Sequence, residues 1–528
     1  MAVVAYRVLR TNPHLRHRHT DPRISVNLEI EQLSPLELRF EQVRRRLGLV
    51  LAPAVFAYVW WREFPSLSIE GHHLAAVMAA VVVLWITEAL PMPVTALTGA
   101  AACVVLRVAP AKAVFAPFAD PIMFLFIGSF ILARAIFLHG LDRRLAFGVL
   151  SSRAVGARPG RVLFAFGAVT AFISAWISNT ATTAMMFAIG MSILGFLFDH
   201  ERAGGPAVSR RYATGLMLMT SFAASIGGLA TPIGTPPNLI GLGHIRDSLG
   251  VEIPFVEWMF LGVPVVVVLF LYLFVYLNYL CPAGVREIAG SHEMLARERQ
   301  RLGAWTAGQV STLAAFLVTI VLWVVPGVIA LAAGGDSPLY KTINRSIPEA
   351  VAALLGAALL FVLPGDREGK AITWREAAEI DWGVVLLYGG GFALGVLSDQ
   401  TGLASAMGDG IASWLPRETG TLTLLATTTL AAVLVSELTS NTASATIVVP
   451  MAIAIARGAG LDPLEPALGA TLGASLGFML PVSTPCNAIV YGSGYIPLTR
   501  MIRYGFLLDV AGVVVIVVSV RLLGGLMH

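Results

Sequence analysis

The chain has 528 residues, of which 56% are apolar and 13% charged, with a formal net charge of +4. Soluble domains carry roughly 25% charged residues, so this chain lacks the charge to coat a water-facing surface, and a mean hydropathy of +0.77 agrees. Three cysteines, with Cys103 and Cys486 in apolar stretches, exclude a disulfide-built secreted protein. The composition is that of an all-α polytopic membrane protein.

The first 46 residues depart from it. They hold nine arginines and the run His14-Leu15-Arg16-His17-Arg18-His19, without the apolar core that a cleaved signal peptide needs. They read as a cytoplasmic segment, since three histidines with no folded context make no metal site. Ser34-Pro35-Leu36-Glu37 has the N-cap, N1 proline and N3 glutamate of a helix start. That helix, with Arg39 and Arg44 to Arg46, is expected at the membrane surface before the first span.

About eleven apolar segments of spanning length follow, at 47–61, 71–90, 93–109, 121–139, 213–243, 256–280, 306–332, 348–363, 383–398, 467–496 and 504–527. Two more, 162–198 and 421–456, are too long for one span and break centrally at Ser178-Asn179-Thr180 and Ser440-Asn441-Thr442. Each is either two short spans or a helical hairpin that enters and leaves on one side. Arginines flank the first on both sides (Arg143, Arg144, Arg153, Arg158, Arg161, then Arg202, Arg210, Arg211), which makes both flanks cytoplasmic. Two full spans would also return there. The polar tips between long apolar approaches favour re-entrant hairpins, because non-helical backbone at membrane depth is tolerated where it lines a cavity. Loops 281–304 and 497–503 then fall inside, 62–70, 110–120 and 244–255 outside. The second hairpin, flanked by Arg417, Glu418, Asp462 and Glu465, opens outward.

An internal repeat runs through these segments. Gly128/Gly390, Gly140/Gly402, Ser174/Ser436 and Ser178-Asn179-Thr180-Ala181/Ser440-Asn441-Thr442-Ala443 are all 262 residues apart. Pro232 to Asn238 and Pro481 to Asn487 match at 249, so the second unit is shorter by 13. With the first unit starting outside and the second inside, this is an inverted-topology repeat, an architecture of secondary transporters. Thr235-Pro236-Pro237-Asn238 and Thr484-Pro485-Cys486-Asn487 cannot continue a helix, so 213–243 and 467–496 are read as helices broken near mid-membrane. Matched interruptions of this kind point to a binding site rather than to packing kinks.

The residue types indicate what such a site holds. A helix starting at each tip offers free N–H groups and partial positive charge to an anion. Unwound carbonyls with serine and asparagine oxygens suit a hard cation, and amide and hydroxyl groups can donate to carboxylates. A membrane enzyme would need a catalytic constellation near the tips, and none of the ten histidines lies there. A channel would be expected to line its pore with charge. Secondary transport leads. No basic residue occurs in 172–186, 229–240, 434–446 or 479–491, so at least two mobile cations are needed to compensate a dianion at the bilayer midplane.

Residues 47–528 resemble the divalent anion/sodium symporter family, whose members move di- and tricarboxylates or sulfate. The resemblance rests on Trp176 to Met186, Thr439 to Ala443, Thr235 to Asn238, Thr484 to Asn487 and Thr87-Glu88-Ala89-Leu90-Pro91. Cys486 departs from it, standing where the family usually has a second proline. The resemblance implies a homodimeric elevator: a scaffold in each protomer and a moving transport domain containing both hairpins and both broken helices. Carried over by position, the first sodium site would use Ser174, Ser178, Asn179 and the Gly234 carbonyl. The second would use Ser436, the Thr439 carbonyl, Asn441 and the Ser483 carbonyl. Substrate carboxylates would meet Asn179, Thr180, Thr235, Ser440, Asn441, Thr442, Thr484 and Pro485.

The expected organisation is a cytoplasmic segment with interfacial helix at 1–46 and scaffold helices at 47–139. A transport half at 140–281, a cytoplasmic linker with scaffold helices at 282–400 and a second transport half at 401–528 complete it. The expected function is sodium-coupled symport of C4-dicarboxylates (succinate, malate or fumarate) across the plasma or inner membrane, with the N-terminus cytoplasmic and no nucleic-acid partner. A sodium-independent exchanger and a sulfate or citrate symporter are the alternatives. Glu88 is expected to cap a span end, Glu437 to orient the second tip or take a proton, and Arg134 and His139 to be interfacial.

Overall fold

Small polar residues and prolines set the helix starts. Asp120 accepts the Ile122 amide at 2.8 Å ahead of Pro121, Ser68 accepts that of Gly71 at 3.0 Å, and Thr306 and Gln309 cap each other reciprocally. The computed structural model describes residues 35–204, 206–287, 290–334, 337–366, 369–413, 416 and 420–526, and among them every regular element is helical. The histidine-rich run, Ser34, Arg417 and Glu418 lie outside the described residues.

Eight described helices are long and apolar enough to cross a bilayer, and Pro338–Ser346 with Glu349–Leu360, bent by 53°, makes a ninth if counted as one span. The count differs from the eleven apolar segments for local reasons. The segment 213–243 is divided between Arg210–Gly227 and Pro236–Leu249, and 467–496 between Leu464–Gly473 and Pro485–Tyr491. The segment 93–109 forms a helix only over Met92–Val105, while the hairpin arms Asn179–Arg202 and Thr421–Leu438 pass the length test themselves. The apolar segment 47–61 is not among the eight: it is the second part of a single helix, Pro35–Trp61, that runs unbroken through Arg44 to Arg46, so the arginine-bearing helix and this stretch are one element and not two. A lone Gly48 costs a helix too little to interrupt it.

The outer faces are as apolar as the inner ones. On Leu498–Leu523, Val510, Val514, Val518 and Leu522 are exposed while Leu508, Gly512, Ile516 and Val520 are buried. Apolar residues around the whole helix are what a lipid-facing element requires. The chain is an integral membrane protein.

The repeat is visible in conformation and packing. Gly140 and Gly402 precede the helices Leu141–Leu150 and Leu403–Ala412 in the left-handed region, at φ +64° and +76°, where a side chain would be strained. Met92–Val105 packs on Trp382–Gln400 of the second unit, and Glu349–Leu360 packs on Pro121–Leu138 of the first. Helices Ile69–Thr87 and Ala307–Ala333 flank this exchange on their respective sides. The repeat therefore begins well before Gly128.

Candidate functional site

At the first tip, Pro159–Ser174 ends and Asn179–Arg202 begins; at the second, Thr421–Leu438 ends and Asn441–Gly458 begins. Serine is the N-cap at both, with Ser440 Oγ accepting the Ala443 amide at 3.2 Å and Ser178 Oγ facing that of Ala181 at 3.5 Å. Capping is what lets a helix start abruptly after an unwound stretch. Ser174 Oγ donates to Asn179 Oδ1 at 2.7 Å, and Ser436 Oγ donates to Asn441 Oδ1 at 2.8 Å. The repeat is thus kept at single hydrogen bonds, and both asparagine oxygens are fixed in place before anything binds.

The unwound segments repeat as closely. Asn238 Nδ2 donates to the Gly228 and Thr231 carbonyls at 3.0 and 2.9 Å, and Asn487 Nδ2 to those of Gly477 and Leu480 at 2.9 and 3.0 Å. Each asparagine bridges its broken helix from the start of the second piece. Each segment is also tied to a matching carbonyl below its tip. Thr231 Oγ1 donates to Ala175 O, and Ser483 Oγ donates to Glu437 O at 2.9 Å. Among the described residues the carbonyls of Gly234, Thr439 and Ser483 receive no hydrogen bond, so an all-oxygen set with uncommitted lone pairs lies beside each tip. Such a set suits a hard monovalent cation better than a soft metal.

The halves interlock. Pro236–Leu249 packs on Asn441–Gly458, and Pro485–Tyr491 packs on Asn179–Arg202. Cys486 lies against Thr180, Thr183 and Ser225, Ser221 Oγ donates to Asn487 Oδ1 at 2.6 Å, and the Phe222 and Phe478 rings meet edge-on at 5.0 Å. The helix starts at Pro485 as its counterpart starts at Pro236, so cysteine in place of a second proline leaves the break intact. Ser178 is exposed; Asn179, Thr180, Ser440, Asn441, Thr442 and Pro485 are half-buried. Ser174, Gly234, Thr235, Ser436, Thr439, Ser483 and Thr484 are buried beneath them. The residues read as anion-binding are therefore mostly the accessible ones, and most of those read as cation ligands lie deeper.

The other polar residues fall into place around this frame. Glu88 ends Ile69–Thr87 in a left-handed conformation, φ 47°, and its carboxylate pairs with Arg44 at 3.3 Å. Arg134 pairs with Glu379, and His139 Nε2 meets the Ala371 carbonyl at 2.6 Å. Glu437 orients the second unwound segment: Oε1 accepts the Met479 amide at 2.7 Å and Oε2 the Ser483 hydroxyl at 2.6 Å. Two contributors are not apparent from local sequence. Arg44 Nη1 donates to the Leu438 carbonyl at 3.2 Å, so a basic side chain does reach the second tip, from nearly 400 positions away and already paired with Glu88. Asp509 lies against Glu437. As the one acidic residue in the apolar segment 504–527, it could have been singled out on that ground alone.

Comparison with known proteins agrees with this architecture. A Staphylococcus saprophyticus protein, "Sodium-dependent dicarboxylate transporter SdcS", is 31% identical over 487 residues, covering 91% of this chain and 92% of its own. The Staphylococcus aureus protein of the same name is 30% identical over 481 residues, covering 90% of each. Among solved structures, the Alcanivorax borkumensis YdaH transporter superposes with a TM-score of 0.50 at 14% identity, over 92% of this chain and 97% of that one, a likeness of fold. The profile described as "Sodium:sulfate symporter transmembrane region" matches residues 44–527, from the arginines of the first helix to the end of the last. With its paired tips and paired unwound segments inside that match, the chain belongs to the sodium-coupled divalent anion symporter family.

Proposed function

We propose that the protein is a secondary active transporter that couples sodium entry to uptake of a small divalent anion, with C4-dicarboxylates (succinate, malate, fumarate) as substrates. The observation that carries this reading is the duplicated oxygen cradle: Asn179 and Asn441, each held by its serine, each beside an unwound segment with free carbonyls. Sodium would be bound by Ser174, Ser178, Asn179 and Gly234 in one half and by Ser436, Thr439, Asn441 and Ser483 in the other. The substrate would lie between the tips, against Asn179, Thr180, Thr235, Ser440, Asn441, Thr442, Thr484 and Pro485. Helix starts contribute only about half a charge each, and Arg44 is matched by Glu88. Compensation of a dianion therefore falls to at least two sodium ions.

The motion that fits is an elevator, with the hairpins and broken helices moving in each protomer of a homodimer against scaffold helices, in the plasma or inner membrane with a cytoplasmic N-terminus. The dicarboxylate relatives favour succinate, while the family description leaves sulfate as the competing substrate. The test is labelled succinate uptake into proteoliposomes under an inward sodium gradient. Accumulation is expected with sodium, to be lost in choline or potassium and to be competed by malate and fumarate. Equal accumulation without sodium, or uptake only against internal succinate, makes the protein an exchanger. Competition by sulfate alone moves the substrate to the inorganic anion.

A further inference from the structure

Behind the second unwound segment two carboxylates meet away from water. Glu437 is 3% exposed and Asp509, from the last helix, 4%. Asp509 lies against Glu437, the Phe478 backbone and the neighbourhood of Tyr276, with no arginine, lysine or histidine beside it among the described residues. The two acids differ in how they are used. Both Glu437 oxygens accept hydrogen bonds, from the Met479 amide and the Ser483 hydroxyl. Neither Asp509 oxygen has a donor placed in full hydrogen-bonding geometry, although both are fully buried and lie within reach of the Glu437 carboxylate and the Phe478 backbone.

We propose that Asp509, with Glu437, forms a third cation site that takes a sodium ion. Two touching carboxylates in a low-dielectric interior must share a compensating cation, a proton or a metal ion, and oxygens without a placed donor are what a hard monovalent ion coordinates. The position couples this ion to transport, because Ser483 is shared. Its hydroxyl is held by Glu437, while its carbonyl belongs to the second sodium set. The first half has no counterpart, since Ala175 occupies the position 262 residues before Glu437. The site thus adds a single ion to a symmetric pair. Three sodium ions with one dianion carry one net positive charge inward, so the transport cycle is electrogenic.

The inference rests on the sodium-coupled reading, and the experiment separates the two. In proteoliposomes containing wild-type protein, the sodium gradient that just prevents net succinate movement is determined at several membrane potentials. A ratio of three sodium ions per succinate, and faster uptake when the inside is negative, are expected. Asp509→Asn and Asp509→Ser are expected to reduce the ratio to two and to abolish the response to potential. A wild-type ratio of two overturns the proposal. So does an unchanged ratio in a variant that still transports, or a balance point that follows the proton gradient in place of the third sodium ion. If neither variant transports, direct counting of labelled sodium bound per purified protomer decides: one ion fewer than wild type supports the site, and equal counts overturn it. Uptake indifferent to sodium in the wild type would instead refute the transport reading itself.

Discussion

Asn179 and Asn441 carry the largest single-residue consequences, because each offers an oxygen to a cation and an amide donor to an anion from one side chain. Hydrogen bonds to charged groups contribute about 1.5–3 kcal/mol. Replacing either asparagine by alanine should therefore raise the half-saturating sodium and succinate concentrations roughly ten- to a hundredfold, and by similar factors at the two positions. Cys486→Ser should be mild, since a hydroxyl can occupy the same place against Thr180 and Thr183. Near-normal sodium titrations of both alanine variants would place the cations elsewhere. At this scale the sequence was highly legible: Ser174, Asn179, Ser436 and Asn441 are marked by their 262-residue spacing, and the structure joins them by matching hydrogen bonds. Arg44 was not, because no spacing ties it to a motif and its role arises from chain segments that meet only on folding, while Asp509 stood out only as the lone acid of its apolar segment, without its partner Glu437.

At the scale of elements, the broken helices repeat their backbone but differ in clearance. A β-carbon on Gly228 would stand 2.4 Å from Asn179 Oδ1, whereas one on Gly477 would find Ser436 Oγ at 3.2 Å and Asn441 Oδ1 at 3.5 Å. Overpacking a tight site costs about 1–3 kcal/mol. Gly228→Ala should thus displace Asn179 and raise the sodium requirement by roughly tenfold or more. Gly477→Ala, its repeat counterpart, should shift it by no more than about threefold. Sodium-dependent thermal stabilisation of the purified variants reads this without relying on transport, and equal shifts would contradict the asymmetry. The breaks themselves were legible, since proline cannot continue a helix. The 53° bend between Ser346 and Glu349 and the unbroken first helix were harder to read, because apolarity sets where a helix can lie and says little about where it turns.

For the whole molecule, each tip touches the rest of the protein at an equivalent position. Trp176 packs edge-on against Phe316 at 5.6 Å, and Leu438, 262 residues later, presents its carbonyl to Arg44. If the hairpins move against the helices around them, both contacts must break once per cycle. Arg44→Gln should then alter the maximal uptake rate several-fold, since a shift of 1–2 kcal/mol between conformations changes their ratio by about 5–30. The sodium requirement should stay within about twofold. A change confined to sodium affinity would instead assign Arg44 to the binding site. The exchange of partners between Met92–Val105 and Glu349–Leu360 was invisible in the sequence, because helices that need only apolar, small-residue faces retain no motif after duplication.

The interlocking of the two halves at the first tip has a consequence for biosynthesis. The first tip is completed by Cys486 and its helix, and Ser221 by Asn487, so about 300 residues must be synthesised between a polar tip and the segment that covers it. At 5–20 residues per second this is roughly 15 to 60 s. For that time the nascent first half holds Asn179, Thr180 and its unwound backbone without their final neighbours. Until the last helices arrive, water or other proteins of the membrane have to satisfy these polar groups. A chain truncated after its first half would carry a full set of first-site ligands and still be an incomplete, degradation-prone product.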